Sequence, residues 1–116
     1  MTREFVELPS FMAAWKRLGL TDEQLKELQC ELTANPQAGD TMAGTGGVRK
    51  LRFAFPGRGK SGSARVIYVD FAIYEKTYLL TVYQKKEQSN LTDAECNELK
   101  KLVGVLETEL QKRAGH

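Results

Sequence analysis

Three stretches rich in β-branched and aromatic residues follow one another closely in this sequence, and they constrain the fold more than any other feature. They are Val48 to Phe55, Ala64 to Phe71 and Tyr78 to Gln84. Such residues favour strands, and the short loops between the stretches predict antiparallel pairing. The pattern therefore predicts an antiparallel sheet that begins after residue 47.

Helix signals flank these stretches. The pairs Thr21 with Gln24 and Thr92 with Glu95 have the spacing of capping boxes, so each predicts the start of a helix. The first helix is expected to stop at Asn35, because a residue before proline disfavours the helical conformation. The second carries apolar residues at three- and four-residue spacing to Leu110.

The N-terminal residues complete the predicted architecture. Residues 3–8 predict a short strand, and Pro9 with Ser10 predicts a break and an N-cap for a helix that ends at Gly19. The order of elements predicts an α+β fold. We expect an N-terminal strand and helical hairpin packed on an antiparallel sheet, with a C-terminal helix, in a single domain covering residues 1–116.

The composition limits which class of protein this chain can be. The chain has 116 residues, of which 41% are hydrophobic and 28% charged, as in ordinary globular proteins. No apolar run approaches the roughly 20 residues that a membrane span requires, and the N-terminus lacks the apolar core of a signal peptide. We therefore expect a cytoplasmic protein with no membrane partner.

The charge distribution points to phosphate binding. The segment between Asp40 and Asp70 contains six of the 17 basic residues and none of the 15 acidic ones. The six are Arg49, Lys50, Arg52, Arg58, Lys60 and Arg65. A local positive field of this kind attracts a nucleic-acid backbone, and the plain alternative is a solvated basic surface.

Several kinds of chemistry lack the residues they need. Cys30 and Cys96 lie far apart with no neighbouring histidine, so we expect neither a metal site nor thiol catalysis. The single histidine, His116, is the last residue. Acid–base chemistry would therefore depend on Lys, Tyr, Arg or carboxylate groups, without a cofactor.

Two glycine-containing motifs are misleading. The run AFPGRGKS, Ala54 to Ser61, resembles a phosphate-binding loop, but alanine replaces its first glycine and a strand is expected after it in place of a helix. The run GTGG, Gly44 to Gly47, lacks the third glycine of a dinucleotide-binding motif. We expect it to be a turn.

Strand alternation suggests how the cations are arranged. Lys50 and Arg52 share one face of their strand, while Leu51 and Phe53 share the other. Arg65 begins the next strand, and Tyr83 and Lys85 share a face near the end of the last one. We expect these groups to converge on one concave surface of the sheet.

Such a surface would suit RNA cleavage by attack of a ribose 2′-hydroxyl on the adjacent phosphate. Lys50 or Lys85 would accept the 2′ proton if neighbouring cations favour its neutral form. Arg52 and Arg65 would stabilise the charge that grows on the phosphoryl oxygens. Tyr83 would stack on a base, or would be a partly buried strand residue with no such role.

Three segments together resemble a known family. NPQAGDTMAGTGGVRKLRF, GRGKSGSARVIY and YLLTVYQKKEQSNLT are similar to HigB-type toxins of the RelE superfamily, from type II toxin–antitoxin systems. The resemblance covers the chain from about Leu25 to the last helix. It implies a RelE-like α+β fold and an endoribonuclease that cleaves messenger RNA on the translating ribosome. It also implies a cognate antitoxin, often a helix-turn-helix protein similar to HigA.

The resemblance also implies roles for individual residues. It places the catalytic basic groups at Lys50, Arg52 and Arg65, and at Lys85 or Lys86. Some superfamily members have a catalytic tyrosine after the last strand; SNLTDAEC contains none, so Tyr83 would stand in and the general base stays open. The other cations, Arg49, Arg58, Lys60 and Lys86, are expected to contact RNA.

Two other functions remain open at this stage. Related ParE-like toxins on the same scaffold inhibit gyrase, and a non-catalytic module would bind nucleic acid or the ribosome through the same cations. The antitoxin would either cover the basic surface or wedge against an edge of the toxin.

Overall fold

The computed structural model describes residues 3–54, 63–85, 87–88 and 90–114. These residues form five strands and three helices. In chain order they are β1 Glu4–Glu7, α1 Pro9–Arg17, α2 Asp22–Ala34, β2 Asp40–Thr41, β3 Arg49–Ala54, β4 Ser63–Phe71, β5 Lys76–Gln84 and α3 Asp93–Arg113. The predicted α+β fold with a C-terminal helix is confirmed.

All five strands belong to one sheet, in the order β1-β5-β4-β3-β2. The pairs β2–β3, β3–β4 and β4–β5 are antiparallel, as predicted for the three long strands. The N-terminal strand β1 pairs parallel with β5, so the sheet is mixed rather than purely antiparallel. The short strand β2 lies where only a connector was expected, because two residues are too few to show a strand pattern.

The sheet is covered on both faces. Helices α1 and α2 pack on one face, against a core that includes Leu51, Phe53 and Val66. Helix α3 packs on the other face, against a core that includes Ile67 and Val69. A strand buried on both sides needs apolar residues at successive positions, and β4 supplies them from Val66 to Val69.

The predicted helix ends agree with the structure except at one position. Both capping boxes are present: the hydroxyl oxygens of Thr21 and Thr92 accept hydrogen bonds from the backbone N–H groups three residues later. Gly19 follows α1 with a φ of 75°. The N-cap predicted at Ser10 is wrong, because α1 begins at Pro9 and the Ser10 hydroxyl donates to the Leu80 carbonyl at 2.6 Å.

The segment between β2 and β3 is a turn, as predicted for GTGG. Gly44, Gly46 and Gly47 have φ values of 76°, 79° and 113°, which residues other than glycine rarely adopt. The buried Thr45 hydroxyl donates to the Met42 carbonyl at 2.7 Å and accepts from the Val48 N–H at 3.1 Å. These bonds fix how β2 approaches β3.

A buried ion pair holds β1 against the sheet. Arg3 Nε donates to Asp70 Oδ1 at 2.9 Å, and the two side chains are 5% and 7% exposed. The Thr77 hydroxyl donates to the same carboxylate oxygen at 2.7 Å. Because the pair is hydrogen-bonded on both sides, breaking it would leave a buried charge uncompensated.

Candidate active site

Three of the candidate site residues form a row across the middle of the sheet. Arg52 on β3 is directly opposite Arg65 on β4, and Arg65 is directly opposite Tyr83 on β5. Directly opposite residues project from the same face with Cβ atoms about 4.5–5.5 Å apart. Arg52, Arg65 and Tyr83, hereafter the cross-strand row, therefore lie side by side on the α3 face of the sheet.

The two arginines of the row carry like charges on neighbouring strands. Neither forms an ion pair with any residue that the structure describes. Like charges directly opposite each other on a sheet are destabilising, by up to about 1 kcal/mol. A bound anion between them would relieve this repulsion, so the arrangement suits a phosphate better than it suits the free protein.

The inner end of the row contains two buried polar atoms. Arg65 Nη1 and Tyr83 Oη are both buried, and neither forms a hydrogen bond within the described part of the chain. Buried polar groups without partners are uncommon because each costs free energy. Neither atom is exposed to solvent, so a ligand at the row would reach them only if the side chains that cover them shift.

The surroundings of Tyr83 determine what its phenol can do. The residue is 5% exposed, and this burial raises the pKa of Tyr83, with Arg65 opposing the shift and Glu95 and Cys96 adding to it. The hydroxyl is therefore protonated at neutral pH and is a donor, not a base. This burial favours the second of the two alternatives for Tyr83, a buried strand residue, over stacking on a base.

Lys50 lies on the same face of the sheet as the row. It is two residues before Arg52 on β3 and directly opposite Ile67. Its Nζ donates to Asn90 Oδ1 at 3.4 Å. Lys85 is exposed in the turn after β5, two residues beyond Tyr83. The structure thus brings Lys50, Arg52, Arg65 and Tyr83 to one face and leaves Lys85 at its edge.

Arg49 belongs to the opposite face of the sheet. It is directly opposite Tyr68, whose side chain packs in the core beneath α1 and α2. Its Nη1 donates to the Gly39 carbonyl at 2.7 Å and to the Gln37 carbonyl at 3.4 Å. Arg49 is therefore not grouped with the other cations. These bonds hold its guanidinium against the segment before β2.

Comparison with known proteins identifies the family. A family model described as the RelE toxin of the RelE/RelB toxin–antitoxin system matches residues 8–113. This chain belongs to the RelE toxin family. It is thus a RelE-family toxin of a toxin–antitoxin system, and the matched range contains the whole cross-strand row. The match is to RelE as a whole, and the HigB subtype stays a prediction.

A solved structure agrees with the RelE fold. The chain is similar to a mutant of the E. coli toxin RelE in the free state, with a TM-score of 0.56 and 16% sequence identity. The similarity covers 77% of this chain and 90% of the E. coli chain. At this identity the likeness supports the RelE fold and no individual residue role.

Some predicted site residues of this RelE-family chain fall outside the described residues. Arg58, Lys60 and Lys86 are among them, and their RNA contacts stay predictions.

No helix in the described ranges is both long and apolar enough to cross a membrane.

Sequence reasoning missed two polar residues near the candidate site, Asp40 and Asn90. Both line a cavity together with Lys50. No motif links residues 40 and 90, because their proximity depends on the short strand β2 and on the path of the chain from β5 to α3.

Proposed function

We propose that this toxin is a ribosome-dependent endoribonuclease that cleaves messenger RNA and so inhibits translation. The observation that carries the proposal is the cross-strand row, in which a protonated tyrosine lies beside two arginines that have no ion-pair partner among the described residues. The family match supports it, because it makes the chain a toxin of the RelE type. HigB is the subtype we propose, with a HigA-like helix-turn-helix antitoxin as partner.

The proposed reaction is a metal-independent transfer within the RNA. The 2′-oxygen of one ribose attacks the adjacent phosphorus as the bond to the 5′-oxygen of the next nucleotide breaks. The products are a 2′,3′-cyclic phosphate and a 5′-hydroxyl end. Arg52 and Arg65 would bind the two non-bridging oxygens, where negative charge increases in the transition state.

Two proton transfers accompany this reaction. Lys50 or Lys85 would take the proton from the 2′-hydroxyl, since both lie on or beside the face of the row. The departing 5′-oxygen must gain a proton. Tyr83 is a protonated phenol whose hydroxyl has no partner in the described part of the chain, so it would donate a hydrogen bond to the phosphoryl group or to this oxygen.

The test is the Arg65→Ala variant in a translating extract. We expect message cleavage to fall by about 10²–10³-fold, because one preorganised donor to the transition-state charge is lost. Arg113→Ala is the matched control, since Arg113 is exposed in the last turn of α3. Mapping of message 5′ ends measures cleavage, and induced expression measures growth arrest.

Antitoxin binding and folding serve as internal checks on this variant. Removal of Arg65 relieves the repulsion with Arg52, so Arg65→Ala should fold and should still bind the cognate antitoxin. If folded Arg65→Ala cuts messages at the wild-type rate, Arg65 has no part in the mechanism. If the wild-type protein binds ribosomes and cuts no message, the chain is a binding module and the enzymatic proposal is wrong.

A further inference from the structure

A cavity of about 340 Å³ lies beside the cross-strand row, between the β2 edge of the sheet and the first turn of α3. Its lining comes from β2, the turn after it, β3, the link from β5 to α3, and α3 itself. The lining residues are Asp40, Thr41, Met42, Ala43, Lys50, Asn90, Leu91 and Cys96. The volume is at the small end of the range for ligand sites, which is about 300–1,000 Å³, and it suits one nucleoside better than a peptide.

Two opposite charges line this cavity without forming an ion pair. Asp40 on β2 is directly opposite Lys50 on β3, yet no salt bridge joins them. Lys50 instead donates to Asn90 Oδ1 at 3.4 Å. That bond uses the amide oxygen of Asn90, so the amide NH₂ group is the part that is free to donate to a ligand.

The polar groups of the cavity therefore present a specific pattern. The Asp40 carboxylate offers two acceptor oxygens, and the Asn90 amide offers a donor. The Watson–Crick edge of guanine has two adjacent donors, N1–H and N2–H, followed by the O6 acceptor. Adenine, cytosine and uracil each lack the adjacent pair of donors. A carboxylate binds such a pair with two parallel hydrogen bonds.

Other features of the cavity favour a base over a phosphate. The carboxylate of Asp40 would repel a phosphate, whereas the half-buried Met42 and Leu91 offer apolar surface to a flat ring. The thioether of methionine packs well against aromatic rings. Lys50 is two residues from Arg52 on the same face, about 6.6 Å along the strand, so a base in the cavity would lie next to a phosphate at the row.

We propose that this cavity binds one guanine base of the message beside the scissile phosphate and thereby biases where the toxin cuts. Asp40 accepts from N1–H and N2–H, and Asn90 donates to O6. The inference rests on the proposed ribonuclease function. The cavity selects the cleavage position in the message, so the loss of Asp40 changes where the toxin cuts more than whether it cuts.

The first experiment maps cut positions in a translating extract. Wild-type cuts should be enriched for guanine at one fixed position next to the cleaved bond. In Asp40→Asn this enrichment should fall by about tenfold, since the bidentate pair is lost. Asp22→Asn is the matched control, because Asp22 is an exposed aspartate in the first turn of α2. Cleavage without guanine enrichment, or equal enrichment in Asp40→Asn, would overturn the cavity assignment and leave the ribonuclease proposal intact.

The second experiment tests the cavity without any cleavage. The backbone amide signals of the isolated protein are followed by NMR as GMP, AMP, CMP or UMP is added. GMP should shift the signals of residues 40–43 and 90–91 at concentrations where the other three do not, and Asp40→Asn should abolish this difference. Equal shifts with all four nucleotides, or none with GMP, would show that the cavity does not read guanine. This result stands even if the wild-type protein cuts no message.

Discussion

Two buried tyrosines, Tyr68 and Tyr83, show how residues of one type can serve different purposes. They lie on opposite faces of the sheet. The Tyr68 hydroxyl accepts from the Gly39 N–H and donates to the Pro36 carbonyl, both at 2.9 Å. The Tyr83 hydroxyl has no partner in the described residues. A satisfied hydroxyl contributes to stability, whereas an unsatisfied one costs stability, which agrees with the donor role that we propose for Tyr83.

Replacement of each tyrosine by phenylalanine should separate these roles. Tyr68→Phe should lower the free energy of unfolding by about 1–3 kcal/mol, because the buried Gly39 N–H loses its acceptor. Tyr83→Phe should leave it unchanged or raise it by up to about 1 kcal/mol, while message cleavage falls by about 10²-fold. Urea unfolding and the translating extract measure the two quantities. A large loss of stability in Tyr83→Phe would mean that its hydroxyl has a partner after all.

At the scale of elements, α3 packs on the face of the sheet that carries the row. It also contains a glycine whose replacement should make the protein more stable. Glu95 and Cys96, in the first turn of α3, are close enough to Tyr83 to add to the rise in the pKa of that residue. Farther along, Gly104 is exposed, and a Cβ atom added there would meet nothing within 4 Å. Glycine inside a helix is less stable than alanine, so this residue weakens α3 without a steric reason.

Gly104→Ala should therefore raise the free energy of unfolding by about 0.5–1 kcal/mol. Gly39→Ala is the contrasting variant, since its Cβ would lie 2.9 Å from the Lys50 carbonyl oxygen and 2.9 Å from a Tyr68 ring carbon. That crowding should cost about 1–3 kcal/mol. Thermal or urea unfolding of both variants tests the pair, and a destabilised Gly104→Ala would contradict the open surroundings described here.

Sequence patterns predicted the elements whose signals are local. The two capping boxes and the alternation of Lys50 and Arg52 with Leu51 and Phe53 appear within a few residues, so they could be interpreted without the fold. The parallel pairing of β1 with β5 could not, because it depends on residues about 72 positions apart (Glu4 with Lys76). The same limit hid the cavity at Asp40 and Asn90, and the burial of Tyr83 depends on where α3 packs.

At the scale of the whole molecule, the charges are unevenly distributed along the chain although the net charge is small. The chain is +2 overall, but the segment between Asp40 and Asp70 carries six cations and no acid. Arg52 and Arg65 from this segment meet on one face of the sheet. Such a field steers a protein toward a polyanion such as the ribosome, while the orientation that makes phosphoryl transfer fast needs a rigidly held substrate.

Free RNA should therefore be a poor substrate. We expect naked messenger RNA to be cut at least about 10²-fold more slowly than the same message on translating ribosomes, because a flexible strand seldom adopts the in-line geometry. Gel analysis of end-labelled message with and without ribosomes measures the ratio. Arg65→Ala, assayed alongside, reports any contaminating nuclease, and equal rates on both substrates would contradict dependence on the ribosome.

The pairing of β1 with β5 also restricts when the toxin can assemble. As the chain is synthesised, β1 emerges first and finds no partner until Lys76–Gln84 has followed. The buried Arg3 likewise waits for Asp70, and Tyr83 joins Arg52 and Arg65 only at that late point. Under the proposed mechanism, the row is therefore incomplete until β5 has been synthesised.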